Sequence, residues 1–208
     1  MKILNLYAGI GGNRKLWGDE DEVTAVELNP DIAKIYQELF PNDKVIVGDA
    51  HKYLLEHYKE FDFIWSSPPC PSHSRMRLLC HEQEGKTTPF PDMKLYEEII
   101  FLQHWFKGKF VVENVISYYD PLIKPFKVGN HYYWSNFHIL NLKEQERMII
   151  RMTDEELVKD KEKRYDYDLT KFDVSKRLKV KMLNNMVEPK TGLHIFKCAF
   201  KVKQETLL

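Results

Sequence analysis

Short apolar runs alternate with longer stretches of helical periodicity over the first 115 residues of the chain. The runs are about four to eight residues long, as expected of buried strands, and glycine, proline or asparagine stands near most of their ends. The pattern predicts strands at 2–7, 22–27, 44–47, 61–65 and 109–113, and helices at 12–17, 31–40, 50–58 and 93–106. Because strands that alternate with helices form parallel sheets, we expect an α/β fold with a doubly wound, mostly parallel sheet.

Beyond residue 115 the pattern is weaker and more polar. Residues 131–140 alternate and are rich in aromatic side chains, which predicts a hairpin or an edge pair of strands. The charged residues 143–165 predict a helix that starts near Thr153, followed by a loop. Two further helices are expected at 176–186 and 189–201.

The length of 208 residues is enough for one main domain with a buried core and a small appendage. We expect the main α/β domain over residues 1–140 and a small C-terminal appendage over 141–179. A helical segment over 180–208 is expected to return to the main domain.

Composition supports a folded protein, since 43% of the residues are hydrophobic and 13% are aromatic. The cysteines are few and odd in number, which is unlike a disulfide framework and predicts a reducing, cytoplasmic environment; they are Cys70, Cys80 and Cys198. No apolar run approaches the roughly 20 residues that a membrane helix needs, so no membrane contact is expected.

The formal net charge is zero, but its distribution is uneven. Acidic residues are in excess over 1–140 and basic residues over 141–208. A basic C-terminal third is compatible with contact to phosphate groups, and an ordinary solvated helix face explains it equally well.

Polar and flexible residues follow the first three predicted strands. The turn Tyr7-Ala8-Gly9-Ile10-Gly11-Gly12 allows a ligand to approach the backbone, although Arg14 stands where a dinucleotide motif has its third glycine. Glu27 ends the second strand, where a carboxylate accepts hydrogen bonds from a ribose, and Asp49 follows the third, within reach of an adenine amino group. Together they predict an adenosine site, whereas each acid alone could simply cap a helix.

The fourth strand runs into Trp65-Ser66-Ser67-Pro68-Pro69-Cys70. The two prolines fix the backbone and hold the cysteine at a strand end, in the crevice where α/β proteins bind their ligands. A reactive thiol is one interpretation, and a buried cysteine in a proline-rich loop is the other.

Considered together, these segments resemble the cytosine-5 DNA methyltransferase family along nearly the whole chain. The resemblance rests on Leu4–Gly12, Val26–Asn29, Gly48–Ala50, Ser67–Cys70 with Ser74, Asp92–Tyr96, Phe110–Val115, and Leu183–Pro189 with Gly192. It implies a Rossmann-like fold that binds S-adenosylmethionine, and methyl transfer to carbon 5 of cytosine in double-stranded DNA. The flipped base would be covered by a closing loop over 72–92.

The resemblance also implies roles for individual residues. Cys70 would be the nucleophile and Glu113 the acid that binds the base, with Arg75 and Arg77 favouring the thiolate. The expected cofactor-binding residues are Tyr7, Gly9, Ile10, Gly11, Gly12, Glu27, Leu28, Asp49, Ala50, Pro68 and Asn185. The expected substrate-binding residues are Pro69, Ser74, Arg75, Asn114 and His131.

The chain departs from the family's pattern in two main ways. Residues 129–133 hold no arginine where the family carries an Arg-x-Arg pair, so His131 is the substitute we consider. Only the 39 residues 141–179 stand where a large target-recognition region is usual. A short or relaxed target site would fit, as would specificity supplied by a homodimer or helper subunit. The small size is reminiscent of phage-encoded members and of those found without a restriction enzyme.

Two other functions stay open at this point. A transfer RNA cytosine-5 methyltransferase is favoured by the small recognition region, and a non-catalytic binding protein of the same fold by the missing arginines. Cys70, His73, Cys80 and His81 are residue types that bind zinc, but the adjacent Cys80-His81 pair suits a tetrahedral site poorly, and we expect no metal.

Overall fold

The computed structural model describes residues 1–87, 90–142 and 152–200. Its central sheet has the strand order β3-β2-β1-β4-β5-β7-β6. The first five strands in this order run parallel, β7 is antiparallel to β5, and β6 and β7 form a hairpin. The strands are β1 (Lys2–Leu6), β2 (Glu22–Glu27), β3 (Lys44–Val47), β4 (Phe63–Ser66), β5 (Lys109–Val115), β6 (Phe126–Val128) and β7 (His131–Ser135).

Helices connect the strands and complete the C-terminal part of the described chain. They are α1 (Pro30–Leu39), α2 (Ala50–His57), α3 (Arg75–Gln83), α4 (Lys94–Trp105), α5 (Asp154–Tyr165), α6 (Lys176–Asn185) and α7 (Pro189–Phe200), with a short 3-10 helix at Tyr58–Glu60. Several starts follow local rules: Asn29 caps α1 before Pro30, and Thr153 and Glu156 form a capping box on α5. No helix in these ranges is long and apolar enough to cross a membrane.

The sheet is buried on both faces. Alternate strand residues point to opposite sides, so Leu4 and Ile64 join the cluster formed with α4, whereas Ile3 and Trp65 join the cluster formed with α7. Both clusters consist of apolar side chains that are almost fully excluded from water. The expected doubly wound, mostly parallel sheet is therefore confirmed.

The C-terminal part packs against the start of the chain. Trp17 stacks on Phe196 of α7 with ring centroids 4.9 Å apart, and its Nε1 donates to the Gly192 carbonyl oxygen at 3.3 Å. Tyr167, in the loop after α5, donates from Oη to the Ile10 carbonyl oxygen at 3.3 Å. The appendage thus lies beside the glycine turn.

Two local predictions were wrong. Residues 12–17 form hydrogen-bonded turns rather than a helix, and Gly18, at a φ of +93°, redirects the chain immediately afterwards. The expected closing loop at 72–92 contains α3, because Ser74 caps a run of good helix formers. Part of the predicted helix at 143–165 lies outside the described residues, and the rest is α5.

Candidate active site

The predicted site residues of the main domain converge at the carboxyl ends of β1, β2, β3, β4 and β5. The glycine turn follows β1, Glu27 ends β2, and Asp49 follows β3. The Pro-Pro-Cys corner follows β4 and Glu113 lies near the end of β5. Because the five strands are parallel neighbours, these groups share one edge of the sheet, as the sequence predicted.

The glycine turn has a backbone that few other residues could adopt. Tyr7, Gly9 and Gly11 have φ values of 55°, 55° and 73°. A side chain at Gly11 would collide with Phe40, whereas nothing lies within 4 Å of the position that a Cβ on Gly9 would take. Gly11 is needed for close packing, and Gly9 leaves its backbone open to a ligand.

Glu27 is held by the backbone on both sides. The Gly9 amide donates to Oε2 at 3.0 Å, and the Asn29 amide donates to Oε1 at 2.9 Å. Asn29, not Glu27, is the N-cap of α1. Since a carboxylate has about four acceptor positions, Glu27 keeps capacity for a ribose diol.

Asp49 does cap a helix. Its Oδ1 accepts from the Lys52 amide at 3.0 Å, at the start of α2. This hydrogen bond is the main reason that the pKa of Asp49 lies below its ordinary value. The side chain stays exposed at the strand ends, so capping does not exhaust its capacity to accept hydrogen bonds.

The surroundings of these two acids fit an adenosine group. Leu28 is 70% exposed and Val47 is 56% exposed, although both stand at the ends of core strands. A flat ring between them would cover apolar surface that water otherwise contacts. Ala50, by contrast, is buried at the start of α2 and supports the site from below.

The last cofactor-binding residue predicted, Asn185, is exposed at the end of α6. Its neighbours Met186 and Val187 pack on the glycine turn. A Cβ on Gly12 would lie 2.3 Å from the Val187 carbonyl oxygen, which only a glycine tolerates. This packing brings the end of α6 to the same edge of the sheet.

Cys70 is half-buried and starts the turn that leads into α3. Its carbonyl oxygen accepts from the amides of His73 and Ser74 at 3.0 and 3.1 Å, and Ser74 then caps the helix. The pKa of the Cys70 thiol is raised, first by burial and then by the negative charge of Glu113. The thiol and the acid are therefore electrostatic neighbours.

The proposed activation of the thiol by two arginines is not what the structure shows. Arg75 is exposed and its Nε donates to the Ser117 carbonyl oxygen at 2.8 Å, and Arg77 is exposed on α3. Neither contributes to the pKa of Cys70, which is shifted upward rather than downward. Both arginines belong to α3, whereas we had expected them on a loop.

Glu113 is buried, and His131 on the antiparallel strand β7 faces it. His131 Nε2 lies 3.6 Å from Glu113 Oε1, and the imidazole is 40% exposed. Burial raises the pKa of Glu113, while the charge of His131 and a hydrogen bond from Ser67 oppose the rise. The structure thus brings His131 to the acid, in the position where we expected a substitute for arginine.

Asn114 fastens the proline corner to β5. Its Nδ2 donates to the Pro68 carbonyl oxygen at 3.0 Å, and its Oδ1 accepts from the Val115 amide at 3.0 Å. Asn114 and Pro68 are buried, while Pro69 is exposed next to the thiol. Asn114 therefore holds the corner in place, and the structure gives Ser74 the role of a helix cap.

A buried acid that the sequence analysis missed lies beneath this edge. Glu98 on α4 is 0% exposed and accepts from Tyr7 and Ser66. The sequence contained a signal for this buried acid, because Glu98 lies on the apolar stripe formed by Leu95, Ile99 and Leu102. A single carboxylate on such a stripe must be hydrogen-bonded inside the fold.

The zinc-type residues are not assembled. Within residues 1–87, 90–142 and 152–200, no three His, Cys, Asp or Glu side chains are grouped as metal ligands would be. His73 is buried and its Nδ1 is 2.5 Å from Tyr119 Oη, whereas Cys80 is exposed.

Comparison with known proteins points to one family. A sequence profile of the C-5 cytosine-specific DNA methylase family matches residues 1–120, which is more than half of the chain. Two curated relatives are tRNA (cytosine(38)-C(5))-methyltransferases. That of Spodoptera frugiperda is 30% identical over 43% of the chain, and that of Mus musculus is 27% identical over 43%. The matches span 29% and 23% of those relatives, so the chain covers less than a third of their length.

The fold has a solved counterpart over nearly its full length. The Entamoeba histolytica methyltransferase EhMeth superposes with a TM-score of 0.55, covering 96% of this chain and 98% of that one at 11% sequence identity. At this identity the agreement concerns the fold. The expected Rossmann-like methyltransferase fold is confirmed.

Proposed function

Because the chain belongs to the C-5 cytosine-specific DNA methylase family, we propose that it methylates carbon 5 of cytosine in double-stranded DNA. S-adenosylmethionine, when bound, supplies an electrophilic methyl group. The exposed Leu28 and Val47, the carboxylates of Glu27 and Asp49, and the open backbone at Gly9 are the groups that would hold it.

The observation that carries the proposal is the pairing of a thiol and a buried acid at adjacent strand ends. The Cys70 thiolate adds to carbon 6 of the base, and the electron pair of the carbon 5–carbon 6 double bond makes carbon 5 nucleophilic. Carbon 5 then takes the methyl group. Loss of the carbon 5 proton restores the double bond and breaks the bond to Cys70.

Glu113 stabilises this addition. Its raised pKa lets it retain or share a proton with ring nitrogen 3 as negative charge reaches the ring. His131, 3.6 Å away, limits how far that pKa rises. The pair therefore balances proton donation against ionisation.

A cytosine in a duplex hides carbon 6 within the stack, so the base must leave the helix to reach Cys70. Pro69, which precedes the thiol in the chain, is exposed, and so are Arg75 and Arg77 on α3. We place the sugar-phosphate backbone of the flipped nucleotide against this exposed side, where basic side chains neutralise phosphate charge.

Methyl transfer from radiolabelled S-adenosylmethionine tests the proposal. We expect labelling of duplex DNA by the wild-type protein and a loss of at least about a thousandfold in Cys70→Ala, as for removal of a covalent nucleophile. Cys80→Ala is the matched control, because Cys80 is exposed on α3, and it should retain activity. Cofactor binding without labelling of any nucleic acid would overturn the proposal in favour of a binding protein.

A second candidate substrate is transfer RNA. The two curated relatives named above are tRNA methyltransferases, and the recognition region of this chain is short. Labelling of a tRNA pool but not of duplex DNA in the same assay would transfer the proposal to RNA while leaving the roles of Cys70 and Glu113 unchanged.

A further inference from the structure

The buried acid Glu98 has three hydrogen-bond partners from three different elements. Tyr7 Oη donates to Oε1 at 2.6 Å, Ser66 Oγ donates to Oε2 at 2.6 Å, and His51 Nδ1 lies 3.0 Å from Oε1. Each partner is polar, and two of the contacts are as short as charge-assisted hydrogen bonds. The carboxylate is thereby satisfied at a position where an unpaired charge would be very costly.

Each partner belongs to a different part of the site. Tyr7 opens the glycine turn and is held at a φ of 55°, which is unusual for a residue other than glycine. Ser66 is the last residue of β4, immediately before the corner that carries Cys70. His51 lies in the first turn of α2, two residues after Asp49. One carboxylate therefore joins the ends of β1 and β4 and the start of α2.

On the α4 side of this cluster, one acidic and one basic side chain act on His51. His51 Nε2 is 3.5 Å from Glu97 Oε1, and the charges of Glu97 and Lys94 on α4 act on His51 in opposite directions. Asp49, the N-cap of α2, also interacts electrostatically with His51. Glu98 is distinguished from Glu97 by contacting both strand ends directly.

We propose that Glu98 is a positioning residue that couples the cofactor side of the site to the thiol corner. The inference rests on the proposed function in that the glycine turn is assigned to the cofactor and Cys70 to the base. By fixing Tyr7 and Ser66 to the same carboxylate, Glu98 sets the separation between the methyl donor and the nucleophile. Errors of about 1 Å in such a separation reduce rates strongly.

The test uses two probes that need no nucleic acid. Affinity for S-adenosylhomocysteine reports the cofactor side, and the rate at which iodoacetamide alkylates Cys70, followed by mass spectrometry of its peptide, reports the thiol corner. In Glu98→Gln we expect the affinity for S-adenosylhomocysteine to weaken roughly tenfold, as for a lost charge-assisted hydrogen bond. We expect alkylation of Cys70 to become faster by roughly threefold or more, because the corner loosens.

Glu97→Gln is the matched control, since it removes the neighbouring carboxylate, which is 58% exposed, from the same helix. It should leave both readouts within about twofold of wild type, as expected of an exposed charge. If Glu98→Gln also leaves both within that range, or changes one without the other, the coupling is overturned. Thermal unfolding of each variant verifies that it is folded.

Two milder variants keep the test decisive if Glu98→Gln does not fold. Ser66→Ala removes a hydroxyl at the thiol corner, and we expect it to weaken S-adenosylhomocysteine binding. Tyr7→Phe removes a hydroxyl at the glycine turn, and we expect it to accelerate alkylation of Cys70. Absence of both crossed effects would overturn the coupling.

The two hypotheses fail in different ways. A wild-type protein that does not bind S-adenosylhomocysteine contradicts the proposed cofactor, whereas the alkylation rates of Glu98→Gln and Tyr7→Phe still measure the coupling.

Discussion

The residues around Cys70 disfavour ionisation of its thiol. Burial and the charge of Glu113 both raise the pKa of Cys70. A thiol in such a position reacts slowly with solvent-borne electrophiles at neutral pH.

The substitution Glu113→Gln separates the ionisation of the thiol from methyl transfer. Removing the negative charge lowers the pKa of Cys70, so alkylation of Cys70 by iodoacetamide at neutral pH should become faster, by roughly threefold or more. Methyl transfer should instead fall by about a hundredfold or more, because the acid that stabilises the addition is lost. The full pH profile of alkylation provides the measurement.

Glu60→Gln, which removes an exposed carboxylate in the 3-10 helix, is a suitable control for the change in net charge. An alkylation profile that is unchanged in Glu113→Gln would contradict the electrostatic contact between acid and thiol.

His51 gives a second prediction at the scale of a residue. The hydrogen bond to Glu98 is the largest cause of a raised pKa of His51. The folded state thus holds this proton more tightly than the unfolded chain does. The resulting stabilisation is complete below about pH 6.5, the ordinary histidine value, and is lost as the pH rises through the higher folded-state pKa.

His51→Gln keeps a hydrogen-bond donor toward Glu98 but cannot take up a proton. The wild type should therefore exceed this variant in free energy of unfolding most strongly in mild acid, with the difference shrinking as the pH rises. Urea unfolding at a series of pH values measures the difference. A difference that does not vary with pH would show that His51 is neutral in the fold.

At the scale of elements, the thiol corner is secured by the segment that follows β5. Besides Asn114, the Tyr118 amide donates to the His73 carbonyl oxygen at 3.1 Å, and Arg75 donates to Ser117. An isolated bridge pairs Ser74 with Ser117. The corner is therefore a rigid edge of the sheet, with α3 extending from it into solvent.

Asn114→Ala tests this attachment. The substitution leaves the buried Pro68 carbonyl without its donor, and we expect a loss of about 1–3 kcal/mol in the free energy of unfolding. Urea denaturation measures the loss, with Asn42→Ala, at an exposed turn, as the reference for a surface asparagine. An effect no larger than that of the reference would mean that the corner does not depend on Asn114.

The core elements were predictable from the sequence because their signals are local. β2 and β3 occur at the predicted residues, and α1 begins where Asn29 and Pro30 predict it. The segment 12–17 has helix-forming composition, but burial of the Arg14 guanidinium against Asp43 decides its path. That contact spans 29 residues, and no local pattern reveals it.

The positions of the site residues were predictable from the sequence in the same way as the core elements. Strand ends place Glu27, Asp49, Cys70 and Glu113 together because a parallel sheet aligns them. The role of Asp49 as a helix cap is a local signal, and it was one of the two interpretations that the sequence offered. The contact between His131 and Glu113 needs the register of β5 and β7, which the sequence does not specify. Roles in catalysis stay predictions for all of these residues.

At the scale of the whole molecule, the two ends of the described chain meet at the glycine turn. A Cβ on Gly192 in α7 would lie 2.5 Å from the Asn13 carbonyl oxygen and 2.6 Å from Asn13 Cα. Because the contact is with the backbone of Asn13, a side chain at Gly192 could be accommodated only if α7 moved. The segment that follows the glycine turn therefore packs on a helix about 175 residues away along the chain.

Gly192→Ala is expected to destabilise the fold by about 1–3 kcal/mol, despite the roughly 1 kcal/mol of helix propensity that alanine gains. Gly48→Ala is the matched control, since its Cβ would have only Ile46 Cγ2 nearby, at 4.0 Å. Thermal and urea unfolding of the two variants give the comparison. Equal stability of the two would contradict the close packing of α7 on the glycine turn.

Covalent trapping shows whether Cys70 attacks cytosine in DNA. The wild-type protein and Cys70→Ala are incubated with S-adenosylmethionine and duplex DNA in which 5-fluorocytosine replaces cytosine, with a matched RNA in a parallel reaction. Fluorine at carbon 5 cannot leave as a proton does, so the enzyme stays attached after methyl transfer. We predict a denaturant-resistant adduct on DNA that is absent in Cys70→Ala. An adduct on RNA alone would contradict the DNA assignment, and no adduct on either would contradict covalent catalysis by Cys70.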